Sequence, residues 1–180
     1  MPRNLILAGG VYHPPEECGA PLVAILAGAG LDSEVVCDVE DGLARLAAGE
    51  FDRLTIACLR WSMTQNEKYA PHRAEWALSL SDAGRAAIRD YVASGRCLLA
   101  IHTAPISFDD WAEWPALLGV SWRWGVSHHP PLAPATARPL ADHPVTRGMA
   151  PFTVADEIYS ALDVQPWMTP LVEARHADMA

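Results

Sequence analysis

The 180-residue chain contains a single lysine, Lys68, and charged residues make up only 19% of it. Its 13 basic residues stand against 22 acidic ones, which gives a formal net charge of −9. An acidic surface argues against nucleic acid or an anionic membrane as the main partner. Twelve arginines against one lysine, together with thirty alanines, are typical of a GC-rich bacterial genome.

The sequence also lacks a long hydrophobic run. The longest apolar stretch, residues 22–31, is interrupted by two glycines and is shorter than the about 20 residues that a membrane span needs. Prolines and acidic residues at 14–17 follow the short N-terminal apolar run, which is unlike a signal peptide. Four cysteines occur without a CxxC pair, and three of them fall in apolar strand-like runs, so we expect reduced core residues in a cytoplasmic protein, with a disulfide as the alternative.

The first hundred residues alternate between apolar runs and amphipathic segments. The apolar runs predict four strands, at residues 4–10, 33–38, 53–59 and 96–102. Helices are predicted between them, at residues 14–28, 39–48 and 83–94, and residues 60–80 are expected to form a surface loop. Regular strand–helix alternation predicts an α/β fold with a parallel sheet and helices on both faces. We expect one domain over residues 1–180.

The composition changes after residue 105. Residues 109–118 predict a helix, and the proline-rich stretch 119–151 predicts loops and short antiparallel strands. Residues 171–175 predict one more strand. The Trp-rich middle of the chain is a candidate homodimer surface.

The end of the fourth predicted strand is the most informative place in the sequence. Ligands of open parallel sheets bind beyond the carboxyl ends of the strands, and His102 lies there. Ala100 and Ala104 flank it at a distance of two residues, which is the small-residue pattern that a sharp nucleophile elbow requires. His102 is therefore a candidate site residue. The alternative is a histidine whose ring binds a backbone carbonyl at the strand end.

Other polar residues are expected at the same edge. His13 follows the first strand, just past Gly9 and Gly10, which lack the GxGxxG pattern of a nicotinamide or flavin site. Only one of His128 and His129 is expected to face a given site, because adjacent residues of an extended segment point in opposite directions. Glu157, if turned inward near His102, suits acid/base chemistry, and the alternative is a solvated carboxylate.

Several motifs occur in a fixed order along the chain. They are Ile101-His102-Thr103-Ala104, then Phe108-x-x-Trp111-x-x-Trp114, then Asp142-His143-Pro144-Val145-Thr146-Arg147-Gly148, and finally Asp156-Glu157-Ile158-Tyr159. In this order they resemble the ThuA-like, or trehalose-utilisation, family over most of the chain. The resemblance implies a flavodoxin-like sheet, as in class I glutamine amidotransferases, with His102 where an amidotransferase has its cysteine.

The resemblance also shows two departures. A glutaminase needs that cysteine and a His-x-Glu near the C-terminus, and neither is present, so we expect no glutamine hydrolysis. Members of the family continue past this point with a glycine-rich strand, and we expect that segment to be missing from this chain, which ends at Ala180.

The resemblance implies a role in sugar catabolism, with a small-molecule sugar as the partner. We expect an isomerase, lyase or hydrolase that acts on a sugar or an oxidised sugar, with His102 as general base and Glu157 as its partner. His13, His129 and Trp111 are the candidate substrate-binding residues, since tryptophan rings stack on sugar faces.

Two alternatives stay open. In the first, His13, His102, His129 and Glu157 hold a divalent metal such as zinc, which their ligand types would suit. In the second, the chain is a non-catalytic sugar-binding or assembly module of the same fold.

Overall fold

A computed structural model describes residues 1–176 of the chain. The contacts divide the chain into two compact units, Met1–Leu118 and Gly119–Ala180. The sequence predicts a single domain, and the division falls shortly after the change in composition at residue 105.

A four-stranded parallel sheet forms the centre of the first unit, as the sequence predicts. Its strands are β1 (Arg3–Gly10), β2 (Asp32–Val36), β3 (Arg53–Leu59) and β4 (Leu98–Ala100), in the order β2-β1-β3-β4. The helices are α1 (Pro15–Cys18), α2 (Ala20–Gly28), α3 (Val39–Ala47), a 3₁₀ helix (Glu67–His72), α4 (Arg73–Trp76), α5 (Asp82–Ala93) and α6 (Trp114–Leu118). The α/β, flavodoxin-like fold is thereby confirmed.

Side-chain caps and an apolar face explain helices α3 and α5. The Asp38 carboxylate accepts a hydrogen bond from the Asp41 backbone N–H, and the Ser81 hydroxyl accepts one from Gly84. Ser81 also donates its hydroxyl proton to Glu40 at the start of α3, which links the two helices. Their inward faces join β1 and β3 in one core, with Leu5, Leu7, Leu43, Ile56 and Ile88 fully buried.

The predicted helix over residues 14–28 is wrong in one respect, because it is two helices separated at Gly19. Pro21 has no backbone N–H, so a helix restarts there instead of continuing. Gly19 also lies against the sheet, where a Cβ would be 2.9 Å from Cγ1 of Val35 and 3.1 Å from Cβ of Ala8.

Three further elements differ from the sequence prediction. The fourth strand has three residues instead of seven, and the helix expected at 109–118 begins only at Trp114. Residues 101–113 between them form consecutive turns. Residues 60–80 are not a plain surface loop, because they contain the 3₁₀ helix and α4 and bury Trp61 and Met63.

The second unit contains short antiparallel strands, as the sequence predicts. They are β5 (Val120–Ser121), β6 (Ala133–Pro139), β7 (Phe152–Asp156), β8 (Asp163–Val164) and β9 (Val172–His176). Strand β6 pairs with β7 on one side and β9 on the other, and β5 pairs with β8.

Three tryptophans and one cysteine are buried residues of the first unit. Trp61, Trp111 and Trp114 are buried in its interior, so they offer no ring surface to a second copy. All four cysteines are free thiols, but the expectation of core cysteines holds only for Cys58, since Cys18 is half-buried and Cys37 and Cys97 are exposed. Burial raises the pKa of the Cys58 thiol to about 12 and makes it unreactive near neutral pH.

Among residues 1–176, no helix is long and apolar enough to cross a bilayer.

Candidate functional site

His13 and His102 lie side by side at the carboxyl edge of the parallel sheet. Their ring centroids are 5.3 Å apart and the ring planes are tilted by 44°. His13 follows β1 and His102 follows β4, and β3 lies between these two strands in the sheet. The chain after β1 must therefore cross the end of β3 to bring the two rings together.

Gly9 and Gly10 make this crossing possible. Gly10 has a φ of +149° and lies so close to β3 that a Cβ would collide with the carbonyl oxygen of Leu59. The chain then turns, and the His13 backbone N–H donates to the Gly10 carbonyl at 3.0 Å. Gly10 thus serves a close approach of two backbones, for which only glycine has room, and Gly9 supplies a φ of +94°, which other residues rarely adopt.

A backbone contact sets the tautomer of His13. Its Nδ1 lies 3.1 Å from the carbonyl oxygen of Val11. A carbonyl can only accept, so Nδ1 carries the proton and, in the neutral ring, Nε2 has the free lone pair. His13 therefore presents a hydrogen-bond acceptor or proton acceptor at Nε2.

His102 occupies a strained turn of the kind that the sequence predicts. Its φ is +49°, in the left-handed region, which costs a non-glycine residue about 1–2 kcal/mol. The Ile101 N–H still donates to Ile56 of β3 at 2.9 Å, and the Ala104 N–H donates back to the Ile101 carbonyl at 3.1 Å. The side chain of His102 is thereby placed on a sharp apex, exposed to solvent.

Buried hydroxyl groups hold this turn in place. Thr103 and Ser107 both donate to the carbonyl oxygen of Cys58, at 2.9 Å and 2.7 Å. The indole N–H of Trp114 donates to the Ala104 carbonyl at 3.1 Å. The Cys58 carbonyl, beyond the end of the short β4, and the Ala104 carbonyl in the turn both receive hydrogen bonds in this way. These bonds hold the turn that carries His102.

Trp111, which the sequence offers as a substrate-binding residue, is a core residue instead. Only 3% of it is exposed, and its ring stacks on Trp114 with centroids 5.9 Å apart. Such a ring has no free face for a sugar, so Trp111 is left out of the candidate site.

Tyr12 and His72 lie at the same edge and were missed by the sequence reasoning. The Tyr12 hydroxyl is 3.3 Å from Nε2 of His72, and the two rings meet edge to face with centroids 5.6 Å apart. Tyr12 could have been found from its place beside His13. No sequence signal indicates that the segment after β3 returns to this edge and brings His72 with it.

A second cluster forms within the second unit around His129. Its Nδ1 lies 3.4 Å from a carboxylate oxygen of Glu157 and 3.2 Å from the Pro130 carbonyl. The Tyr159 ring stacks on the imidazole with centroids 5.5 Å apart, and Trp122 meets Tyr159 edge-on at 5.2 Å.

Backbone pairing brings the two parts of this cluster together. His128 and Ser160 exchange two backbone hydrogen bonds, of 3.2 Å and 2.8 Å, which align the segments before and after them. Burial, and after it the charges of Glu157 and Asp156, raises the pKa of Tyr159 to about 12. The phenol therefore stays protonated and can donate a hydrogen bond near neutral pH. An imidazole beside a carboxylate suits proton transfer.

The four candidate metal ligands divide equally between the units. His13 and His102 belong to the first unit, and His129 and Glu157 belong to the second. Within either unit, the described residues contain no group of three or more His, Cys, Asp and Glu side chains that could hold a metal ion. Zinc sites in proteins use about three or four protein ligands, so neither pair by itself makes a zinc site.

A comparison with protein families adds to this geometry. The ThuA family, described as trehalose utilisation, matches residues 5–179, which is nearly the whole chain. The chain belongs to the ThuA family. ThuA proteins are glutamine amidotransferase-like, in agreement with the parallel sheet of the first unit. The family description indicates a role in carbohydrate metabolism. No curated protein and no solved structure matches the chain significantly.

In this ThuA protein, the turn after β4 carries no cysteine that could act as the nucleophile of a glutaminase. The apex residue is His102, Cys58 is buried inside β3, and Cys97 precedes β4 at the opposite end of that strand. The proton chemistry of histidine is what this edge of the sheet offers instead.

Proposed function

We propose that this ThuA protein is an enzyme that performs acid/base chemistry on a sugar or an oxidised sugar, as an isomerase, a lyase or a hydrolase. The observation that carries the proposal is the His13–His102 pair at the carboxyl edge of the sheet. Imidazole is the side chain best suited to proton transfer near neutral pH. Open parallel sheets bind their ligands at this edge.

The carbon next to the carbonyl of a keto-sugar bears an acidic proton. In the proposed reaction, a ring nitrogen of His102 takes that proton, and the electron pair of the C–H bond moves onto the carbonyl as an enolate. Return of the proton to the former carbonyl carbon isomerises the sugar, while the hydroxyl on the deprotonated carbon passes its proton to the enolate oxygen and becomes the new carbonyl. In the elimination, the enolate re-forms its carbonyl and expels an oxygen substituent from the carbon on the far side of the deprotonated one, and the leaving oxygen takes up a proton. His13, with Nε2 available, binds a sugar hydroxyl beside the reacting carbon.

Glu157 and His129, both in the second unit, have the roles that the sequence predicts for them in this proposal. Glu157 is the proposed carboxylate of the reaction, and its observed partner is His129, the proposed substrate-binding residue. The partnership of Glu157 with His102 stays a prediction, because the two residues belong to different units.

Proton exchange in deuterated water tests the proposal directly. Keto-trehalose and keto-glucose are incubated with the protein, and loss of the C–H signal beside the carbonyl is followed by NMR. We expect exchange with the wild type and a loss of about 10²- to 10⁴-fold in His102→Ala, the usual contribution of a general base. His143→Ala, a loop histidine outside both clusters, is the matched control and should exchange like the wild type.

The same measurement distinguishes an enzyme from a non-catalytic sugar-binding module. A sugar-binding module would bind these sugars without exchange or turnover, and His102→Ala would change neither. Equal exchange rates in the wild type and in a folded His102→Ala protein would show that His102 is not the base.

A further inference from the structure

Tyr12 is an exposed aromatic residue beside the histidine pair. Fully 70% of it is open to solvent, although tyrosine rings generally bury much of their surface in folded proteins. It directly precedes His13 and follows the same Gly9–Gly10 turn. A large ring surface is thus available at the edge where the ligand of this sheet is expected.

The backbone of Tyr12 is strained, and its packing does not explain why a tyrosine stands there. Its φ is +63°, in the left-handed region that asparagine or glycine adopts more easily. His102, whose ring is near that of His13, is strained in the same way. Residues held in this region cluster at ligand sites, where function maintains them.

His72 fixes the orientation of the Tyr12 ring. The contact at the hydroxyl, 3.3 Å from Nε2 of His72, holds the end of the side chain while most of the ring stays exposed. His72 is itself on a well-anchored segment. Asp109 accepts hydrogen bonds from the backbone and the hydroxyl of Ser62, and Arg73 donates to the Met63 carbonyl at 2.9 Å. The ring is therefore oriented before any ligand binds, which lowers the entropy cost of binding.

We propose that Tyr12 is a sugar-binding residue whose ring stacks on the C–H face of a pyranose, and that His72 is a positioning residue that holds the Tyr12 hydroxyl. The inference rests on the proposed function, which supplies the ligand class. A pyranose has an apolar face of C–H groups and a rim of hydroxyls. An aromatic ring covers the apolar face, and Nε2 of His13, the next residue, accepts a hydrogen bond from the rim.

Calorimetric titration with trehalose, glucose and keto-trehalose tests the role of Tyr12. We expect Tyr12→Asn to bind the sugar about tenfold more weakly, since it removes the stacking surface. The same variant should be at least as stable as the wild type, because asparagine tolerates a positive φ. Tyr12→Phe keeps the ring and should stay within about threefold of the wild type. Phe152→Ala, which removes an exposed ring from β7, is the matched control and should bind normally.

A double-mutant cycle tests the role of His72. His72→Ala should weaken binding by about threefold in the wild-type background, because the Tyr12 ring is then less fixed. In the Tyr12→Phe background the loss should be smaller, since only the edge-to-face contact of the two rings remains. An equal loss in both backgrounds would show that His72 does not act through the Tyr12 hydroxyl.

The outcomes distinguish this inference from the proposed function. If the wild type binds the sugar and Tyr12→Asn binds it equally well, Tyr12 is not a binding residue, while the acid/base proposal stands. If the wild type binds none of the three sugars, both proposals are wrong. If Tyr12→Asn instead changes the mass of the protein in solution, the ring belongs to an interface between copies, and the inference is wrong.

Discussion

Gly10 is the residue that lets the chain cross the end of β3 and carry His13 to His102. A side chain there would overlap the Leu59 carbonyl, which belongs to the rigid backbone of β3. We expect Gly10→Ala to lower the free energy of unfolding by about 2 kcal/mol, as overpacking in a well-packed region does. Urea unfolding followed by circular dichroism measures the change.

Gly28→Ala is the matched control for this substitution. Gly28 lies in α2 with open space around the position of a Cβ, so alanine should leave stability unchanged or raise it slightly. Proton exchange should fall in Gly10→Ala, because His13 is displaced, and should stay normal in Gly28→Ala. Equal stability of the two variants would mean that β1 and β3 can separate at no cost.

The position of His102 could be predicted from the sequence, but its neighbours could not. Two alanines around a histidine after an apolar strand indicate a sharp apex, and a φ of +49° is found there. His13, whose ring lies beside it, was expected only at the same edge. The contact of Tyr12 with His72 depends on the fold of residues 60–80, and that fold depends on buried side chains such as Trp61 and Met63.

At the scale of elements, β4 is short because side-chain hydroxyls, instead of the backbone of a longer β4, donate hydrogen bonds to the end of β3. The Ile101 N–H is the last of this segment to donate to β3, and the Cys58 carbonyl then accepts from the hydroxyls of Thr103 and Ser107. Thr103→Val and Ser107→Ala each leave the Cys58 carbonyl one donor, so Thr103→Val should cost about 1 kcal/mol. Ser107→Ala should cost more, because the Ser107 hydroxyl also accepts a hydrogen bond from the Arg60 backbone N–H at 3.2 Å. The double variant leaves a buried carbonyl unpaired and should cost more than the sum of the two.

Thermal and urea unfolding of the wild type, the two single variants and the double variant measure the coupling between the two substitutions. Thr136→Val, on the exposed face of β6 in the second unit, is the control for the threonine substitution and should have little effect. Simple additivity of the two buried substitutions would show that another group, such as a water molecule, pairs with the Cys58 carbonyl.

The prediction of helices and strands was accurate where apolar periodicity and helix caps determine the structure. Strands β1 and β3 follow from apolar runs, and α3 and α5 follow from their caps and apolar faces. It was wrong where local chemistry interrupts a run, as at Pro21, where a proline without an N–H divides one predicted helix into two. The helix predicted over residues 109–118 begins only at Trp114, because the turns that follow the apex at His102 continue to residue 113.

At the scale of the whole molecule, the family match spans both units, and the predicted site residues are found in both. His102 lies on the first unit, with His13, and Glu157 lies on the second, with His129. Each unit therefore contributes a group that suits proton transfer. Whether one reaction uses both groups is a question that kinetics can answer.

Substitution of both residues tests whether His102 and Glu157 serve one reaction. Groups that act on the same transition state have effects that do not multiply, so the double variant His102→Ala/Glu157→Gln should lose no more activity than His102→Ala alone. The measurement is the rate of proton exchange for the two single variants and the double variant. Glu173→Gln, a carboxylate of β9 that pairs with Arg138, is the matched control and should keep the wild-type rate. Losses that multiply, or an unaffected Glu157→Gln, would mean that the second unit's carboxylate has no part in the step that His102 performs.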